Sequence, residues 1–570
     1  MSHKIAPLHF SASSLALAGA LLLSAPAFGQ AASDPEQDPS TLDSGSSNEI
    51  VVTAQFREQN LQDTPIAITA LNAEMLEARG YDDLSDVGTS APNVSLREAP
   101  ATFGPAVSAY IRGVGQHDTN FALEPGVGIY IDDIYFPTLH GSMIQLVDLE
   151  RVEILRGPQG TLAGQNSIGG AIKLYSKKPR GDGTGYVEAT YGSYDRMELR
   201  AAADFKLTDN LFARLSGAAA RRDGYITRYD YACTHPGTPI RTAVKQPGNC
   251  KLGTEGGKDY IAGRLALRWE PTDRISLDVV GDLVEDNSEV GPTTLLYVGR
   301  SAAPGAINTQ NGAGAAYILN GVPYGNTSGS PFISYSPYGT FAQDTFSNSP
   351  YISYEDYSDL APRDGSPPYQ APLSAAVDSW GLSANLAVEL SDSLNLLSIT
   401  GYREYDGLYT SGDGSPFANT SQINRVIHEQ FSQELRLAGR FFDDALDVIV
   451  GAYYYDAATR YDARIHTPFA GFCPAATPCF SFINDDTADL TSYAGFANVA
   501  WAVTDRGRVC GIPIGMPWKP TVSETPRRST TSRTAATTRS HWTSGSAPCS
   551  SRNPVPSASR TWSITRCGSS

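Results

Sequence analysis

The feature that most limits what this chain can fold into is a two-residue alternation kept up over unusually long stretches. In residues 260–270, Ile261, Gly263, Leu265, Leu267 and Trp269 fall on one face, and Ala262, Arg264, Ala266, Arg268 and Glu270 on the other. Residues 274–285 repeat the pattern, with Ile275, Leu277, Val279, Gly281 and Leu283 opposed to Ser276, Asp278 and Asp282. Phe431, Leu435 and Leu437 are likewise opposed to Ser432, Glu434 and Arg436. Side chains alternate across a strand, so each stretch has one apolar and one polar face. Ten or more residues exceed the usual globular strand of about five or six. That length suits a tilted strand crossing a bilayer, with lipid on one side and a polar lumen on the other.

The connections obey the same rule. Tight turns fall at 208–211, 272–275, 391–394, 443–446 and 504–506. Long loops at 223–259, 286–376, 408–425 and 457–490 lie between them, and the short turn 192–195 takes the first outer position. Strict alternation of tight turns and long loops is expected of a membrane barrel and has no cause in a soluble sandwich. About ten strands are passed by Val503.

The N-terminal part is different. Lys4, the apolar run 15–23 and small residues at 25–29 mark residues 1–31 as a secretory signal, too short in its apolar part for a spanning helix. With no long apolar run after it, membrane residence is possible only as a barrel. Residues 32–60 are a polar linker ending near the β-prone segment Glu49, Ile50, Val51, Val52, Thr53 and Ala54. Such a segment either adds as a strand to a partner's sheet edge or begins the next domain.

Residues 61–180 read as one α+β domain. Strands are expected at 66–71, 94–97, 109–112, 128–131, 151–155 and 171–175. Asn72 is placed to cap a helix through Arg79 that Gly80 stops, and 83–89 suggests a second short helix. A glycine-rich turn from Gly157 to Gly170 joins the last two strands and needs close backbone approach.

At these residues the chain resembles the TonB-dependent outer-membrane receptors of Gram-negative bacteria, over about residues 49–506. Residues 49–54 resemble the TonB box. Residues 110–115 (YIRGVG), 127–133 (VGIYIDD), 149–158 (LERVEILRGP) and 169–172 (GGAI) resemble the plug motifs, the last two being the most specific. The resemblance implies a mixed α+β plug domain inside a transmembrane antiparallel β-barrel of 22 strands, of which about ten are encoded here. It implies energy-coupled uptake of a scarce nutrient, a ferric siderophore first, with a carbohydrate, cobalamin or aromatic compound as alternatives. Implied partners are TonB with its ExbB–ExbD complex, the barrel-assembly machinery, outer-membrane lipid and a small-molecule ligand. Arg112, Arg151, Glu153 and Arg156 are expected where the plug meets the barrel wall, against the plainer reading of solvated strand edges.

Other classes fit less well. The glycine-rich turn lacks the spacing of a phosphate-binding loop, and no catalytic constellation stands out, so no enzyme is expected. A net charge of −17 argues against nucleic acid. A porin or adhesin barrel would have no use for a plug or a box. Cys233 with Cys250, and Cys473 with Cys479, sit in loops of an exported chain and read as disulfides. No metal site or cofactor is expected. The 286–376 loop holds nine Tyr, making Tyr335, Tyr338, Tyr351 and Tyr354 candidate ligand contacts, or else partners in loop-on-loop packing.

From Gly507 the character changes. Residues 507–570 hold no Tyr or Phe, 23 Ser or Thr, nine basic residues and one acidic residue. A lost reading frame near Arg506 explains the break better than a natural tail, and sequencing the DNA there decides it. Ten strands cannot surround a plug of this size, and lipid does not tolerate an open edge. The chain as written is therefore expected not to assemble as an active transporter.

Overall fold

The computed structural model describes residues 51–52, 59–64, 66–81, 84–99, 104–117, 124–137, 148–158, 160, 166–237, 249–294, 317–319, 322–324, 346–347, 349–359, 367, 369–412, 421–443, 445–467, 480–504, 507–510 and 521–523. The signal segment and most of the tail therefore lie outside the described residues.

The N-terminal domain is built on a five-stranded sheet in the order Ile68–Asn72, Leu149–Arg156, Gly170–Ser176, Val127–Ile131, Ile134–Phe136. Gly170–Ser176 lies at its centre, antiparallel to Leu149–Arg156 and parallel to Val127–Ile131, and every one of its residues is buried. Leu71, Ile129, Val152, Ile154, Ile172 and Leu174 form one core with Leu76, Leu84 and Val87. A smaller sheet, Val94–Glu98, Val107–Ile111 and Val114–Gln116, adds Leu96 and Ile111 to the same core.

Local chemistry sets the helix ends. The Asn72 side-chain oxygen accepts from the Met75 N–H at 2.9 Å, and helix Ala73–Arg79 follows. Gly80 takes φ +63°, a conformation costly for other residues, and the Tyr81 N–H returns to the Leu76 carbonyl at 3.1 Å. The second helix is a single turn, Leu84–Val87, tightening into a 3-10 turn at Gly88–Ser90.

From Gly185 a wall of ten long strands runs in chain order, each antiparallel to the next: Gly185–Gly192, Arg196–Lys206, Leu211–Arg222, Lys258–Thr272, Ile275–Asp286, Ala375–Ser391, Leu394–Ser411, Ser421–Phe441, Leu446–Thr467 and Phe480–Thr504. Its burial is inverted relative to a soluble sheet. Leu265 is 47% exposed while its neighbour Ala266 is 4%, and Leu435 is 44% exposed while Arg436 is 7%. Leu199, Leu215, Leu283 and Leu382 join the exposed face, and Ser216, Gln430 and Ser432 the buried one. A contiguous apolar outer face over a polar inner one is stable only where the outside is hydrocarbon.

Two regions differ from expectation. Residues 457–467 and 480–490 are strand rather than loop, because the ladder from Leu446↔Trp501 continues unbroken to Thr467↔Phe480. Backbone pairing needs no particular side chains, so it extends past the lipid-facing pattern. In the tail, Gly507–Cys510 pairs with the end of Phe480–Thr504, and Thr521–Ser523 pairs beside Asp489, Leu490 and Thr491. At the other side of the sheet, Gly185–Gly192 pairs with Arg196–Lys206 alone among the described residues, and Val187 is 76% exposed.

Candidate functional site

The 149–176 stretch forms two adjacent plug strands, and most of the charges singled out within the plug have their described partners in the plug itself. Arg151 and Glu153 are two residues apart on one strand and so point the same way. Arg151 Nε donates to Glu153 Oε1 at 2.8 Å and its guanidinium lies 3.8 Å from the centre of the Tyr175 ring. Arg156 Nη1 donates to the Pro92 carbonyl at 3.4 Å. Arg112, at φ +52°, donates its N–H to the Asn93 carbonyl at 2.8 Å, and its guanidinium lies against Gly157. Gly170 has φ +151°, and a Cβ there would lie 2.1 Å from the Leu155 carbonyl oxygen. That glycine is required by the approach of its own neighbouring strand.

At one end of the plug, the wall is met through residues just outside those motifs. Arg214, on the inner face of Leu211–Arg222, grips Asp148 with two bonds, Nε to Oδ2 at 2.6 Å and Nη2 to Oδ1 at 2.7 Å. Its Nη1 reaches Asp204, the residue opposite it on the neighbouring strand, at 3.4 Å. Asp204 also accepts from the Arg180 N–H at 3.1 Å and from the Gly181 N–H. All three side chains are nearly free of solvent, at 7%, 3% and 1%. The exit from the plug is held again where Lys178 Nζ lies 3.1 Å from Asp278.

Deeper in the lumen, Tyr130, Tyr135, Leu155 and Ala171 of the plug pack with Tyr455 and Ala457 of the wall. Gln430 Nε2 donates to the Tyr135 carbonyl at 2.8 Å. Arg403 pairs with Asp282 at 2.8 Å and sits 5.4 Å from the centre of the plug's Phe136 ring. A Cβ on Gly401 would lie 2.7 Å from Ile134, so the backbone of the wall approaches the plug closely there.

At the outer end the loops carry a built cluster. Cys233 and Cys250 form a disulfide with Cα atoms 5.5 Å apart. It closes the loop between Ile226–Tyr229 and Lys251–Glu255, which pair antiparallel, with Ile352–Ser353 added parallel. Tyr231 stacks on His235 at 3.9 Å, and Tyr354 meets both edge-on at 5.2 and 5.6 Å. Tyr354 is buried in this contact, whereas Tyr351 is 58% exposed. Beneath them Arg228, Glu255, Glu355 and Tyr357 are fully enclosed. Burial pushes the Glu255 carboxyl up to about 7, against the opposing pull of the Thr293 N–H, Arg228, Tyr357 and Ser353. Tyr335, Tyr338, Cys473 and Cys479 lie outside the described residues.

Of the 49–54 segment, Val51–Val52 are described and pair antiparallel with Gln59–Asn60; Glu49, Ile50, Thr53 and Ala54 lie outside. Val52 is buried. Asp148, Arg214 and Gln430 were not foreseen from sequence. Their signal is slight: polar residues on the inner face of amphipathic strands, and an acid one residue before a plug motif.

A plug sheet held by a buried ion pair against a wall that is apolar outside and polar inside defines a plug-and-barrel fold of the outer membrane. Residues 60–171 match the family model of the TonB-dependent receptor plug domain. The match places a plug domain of the TonB-dependent receptor kind in the N-terminal part of this chain. The chain is similar to the iron-regulated outer membrane virulence protein of Vibrio cholerae, 27% identical over 227 residues, covering 37% of this chain and 31% of the relative. It is also similar to the vitamin B12 transporter of Photobacterium profundum, 24% identical over 186 residues, covering 33% of this chain and 30% of the relative. Each match thus spans about a third of the relative's length. The ferric yersiniabactin uptake receptor of Yersinia pestis shares the fold, with a TM-score of 0.53 at 18% identity, over 81% of this chain and 61% of that one.

Proposed function

We propose that residues 49–504 are the coupling segment, plug and first part of the barrel wall of a receptor that takes up a scarce nutrient across the outer membrane, powered through TonB and its ExbB–ExbD complex. The observation that carries this reading is the plug itself, seated on the polar inner face of the wall by Asp148–Arg214 and Gln430–Tyr135. A plug fixed this way blocks passive flow, so passage needs work done on it. The 49–54 segment supplies the handle, by strand addition to the partner. Its Val51–Val52 pair with Gln59–Asn60 must open first.

The cargo we propose is a ferric siderophore, in keeping with the iron-regulated Vibrio relative. The B12 transporter among the relatives makes cobalamin the second cargo to try. Tyr351, 58% exposed and close in sequence to the buried Tyr354, is the residue we propose to meet it. The test uses cells carrying the receptor with a completed barrel. Deleting residues 49–54 is expected to abolish uptake and spare ligand binding. Uptake that survives the deletion contradicts energy coupling through this segment.

A further inference from the structure

The outer cluster contains a device that transport alone does not require. Residues 351–359 belong to the connection between the fifth and sixth wall strands, yet they bind the loops on both sides. Toward one side, the Thr227 N–H donates to the Tyr351 carbonyl at 2.9 Å, and Ile352–Ser353 extend the Ile226–Tyr229 sheet. Toward the other, Tyr357 packs with Val290 and Ala371 beside Leu373 and Ile423, and Gly412 is so close to Glu355 that a Cβ would collide with it. The segment therefore ties the loop after the third strand to the loop after the seventh.

Its anchor is an enclosed group of charged side chains. Arg228 is 1% exposed, donates to the Glu355 carbonyl at 3.4 Å and lies 5.6 Å from the Tyr357 ring centre. Enclosed carboxylates share this space. Glu255 accepts from the Tyr357 hydroxyl at 3.4 Å and from the Thr293 N–H at 3.3 Å, and Glu355 accepts from the Thr293 hydroxyl. Asp356 is 4% exposed and accepts from the Ser358 N–H at 3.1 Å. Glu289 faces the same hairpin, accepting from Thr254 at 2.7 Å and from the Gly257 N–H at 2.9 Å. Arg222 is turned aside to the Gly256 carbonyl at 2.7 Å. Among the described residues the enclosed Arg228 guanidinium thus lies with three enclosed acidic side chains, Glu255, Glu355 and Asp356, and desolvation disfavours the ionised form of Glu255.

We propose that residues 351–359 are a proton-dependent strap over the outer mouth, docked through Arg228, Glu255, Glu355 and Tyr357 at acid pH and released as the pH rises. The strap rests on the reading of this end as the ligand-facing mouth, and it would regulate access there. The direction follows from linkage. Glu255 holds its proton more tightly when docked than when free, so docking is strongest below the ordinary carboxyl range and weakens as the pH climbs to about 7.

The test is hydrogen exchange on the 570-residue chain in detergent micelles, corrected for intrinsic rates, and it needs no transport. Protection of residues 351–359 is expected to fall ~10²-fold between about pH 5 and about pH 8, while Leu394–Ser411 stays level. Glu255→Gln, a standing mimic of the protonated acid, is expected to keep the strap protected at the higher pH. Level protection in the unaltered chain, or a Gln variant that declines in parallel with it, overturns the proposal. Should that variant not fold, Tyr357→Phe removes one donor to the carboxylate and is expected to move release to higher pH; an unmoved midpoint overturns the proposal equally. Because uptake is not read, a failure here leaves the transport reading intact, and loss of that reading leaves the strap's titration measurable.

Discussion

Replacing Arg214 by Met tests how the plug is held. The substitution keeps the stem's bulk and removes the charge. Asp148 then loses both of its side-chain bonds, at 2.6 and 2.7 Å, in a site where it is 3% exposed. Asp204 keeps the Arg180 and Gly181 N–H groups, so it is only partly orphaned. The cost therefore falls mainly on one stranded carboxylate, and removing one partner of a buried pair costs about 3–5 kcal/mol. Asp148→Asn is milder, because Arg214 still has Asp204; losing one charged hydrogen-bonded contact costs about 1.5–3 kcal/mol. In the double variant no carboxylate remains at 148 to be stranded, so its cost falls well short of the sum. The assay is native-state hydrogen exchange in micelles, comparing the plug strands Leu149–Arg156 and Gly170–Ser176 with the wall strands. Plug amides are expected to lose protection while wall amides beyond Leu211–Arg222 keep theirs. Additive single effects, or loss spread evenly over plug and wall, would refute the reasoning.

Three further substitutions follow from the same contacts. Gly170→Ala forces a Cβ against the Leu155 carbonyl at φ +151° and should cost the plug at least about 1–3 kcal/mol in urea unfolding. Gly401→Val pushes on Ile134 and should loosen the plug by a comparable ~1–3 kcal/mol, seen as faster exchange in Ile134–Phe136 with Leu446–Thr467 unchanged. Replacing Cys233 and Cys250 by Ser opens a short loop; about 3 kcal/mol of local stability should be lost, read as protease cutting confined to residues 226–255.

Much of the architecture was legible because it rests on local rules. Asn72 and Gly80 bound their helix through bonds reaching only a few residues, and the alternation of Leu265 with Ala266 is a property of any strand. The site was less legible because its partners are chosen by register and closure. Arg214 meets Asp148 across 66 residues, and Gln430 meets Tyr135 across 295. Arg151 and Glu153 are legible as a pair, since a two-residue spacing on one strand puts them side by side and Arg151 Nε donates to Glu153 Oε1. The strand extension above residue 457 is illegible in the sequence for a related reason: a backbone ladder leaves no side-chain signature.

The central claim is that the wall turns an apolar face to lipid and a polar face to the plug. Spin labels placed one at a time at Leu215, Ser216, Leu265, Ala266, Leu435 and Ser432 in micelles test it directly, read by collision with oxygen against a water-soluble relaxant. The account predicts high oxygen contact at Leu215, Leu265 and Leu435, which are 55%, 47% and 44% exposed, and little contact with either agent at the other three. Similar values at neighbouring positions, or contact with the aqueous agent at the leucines, would contradict it.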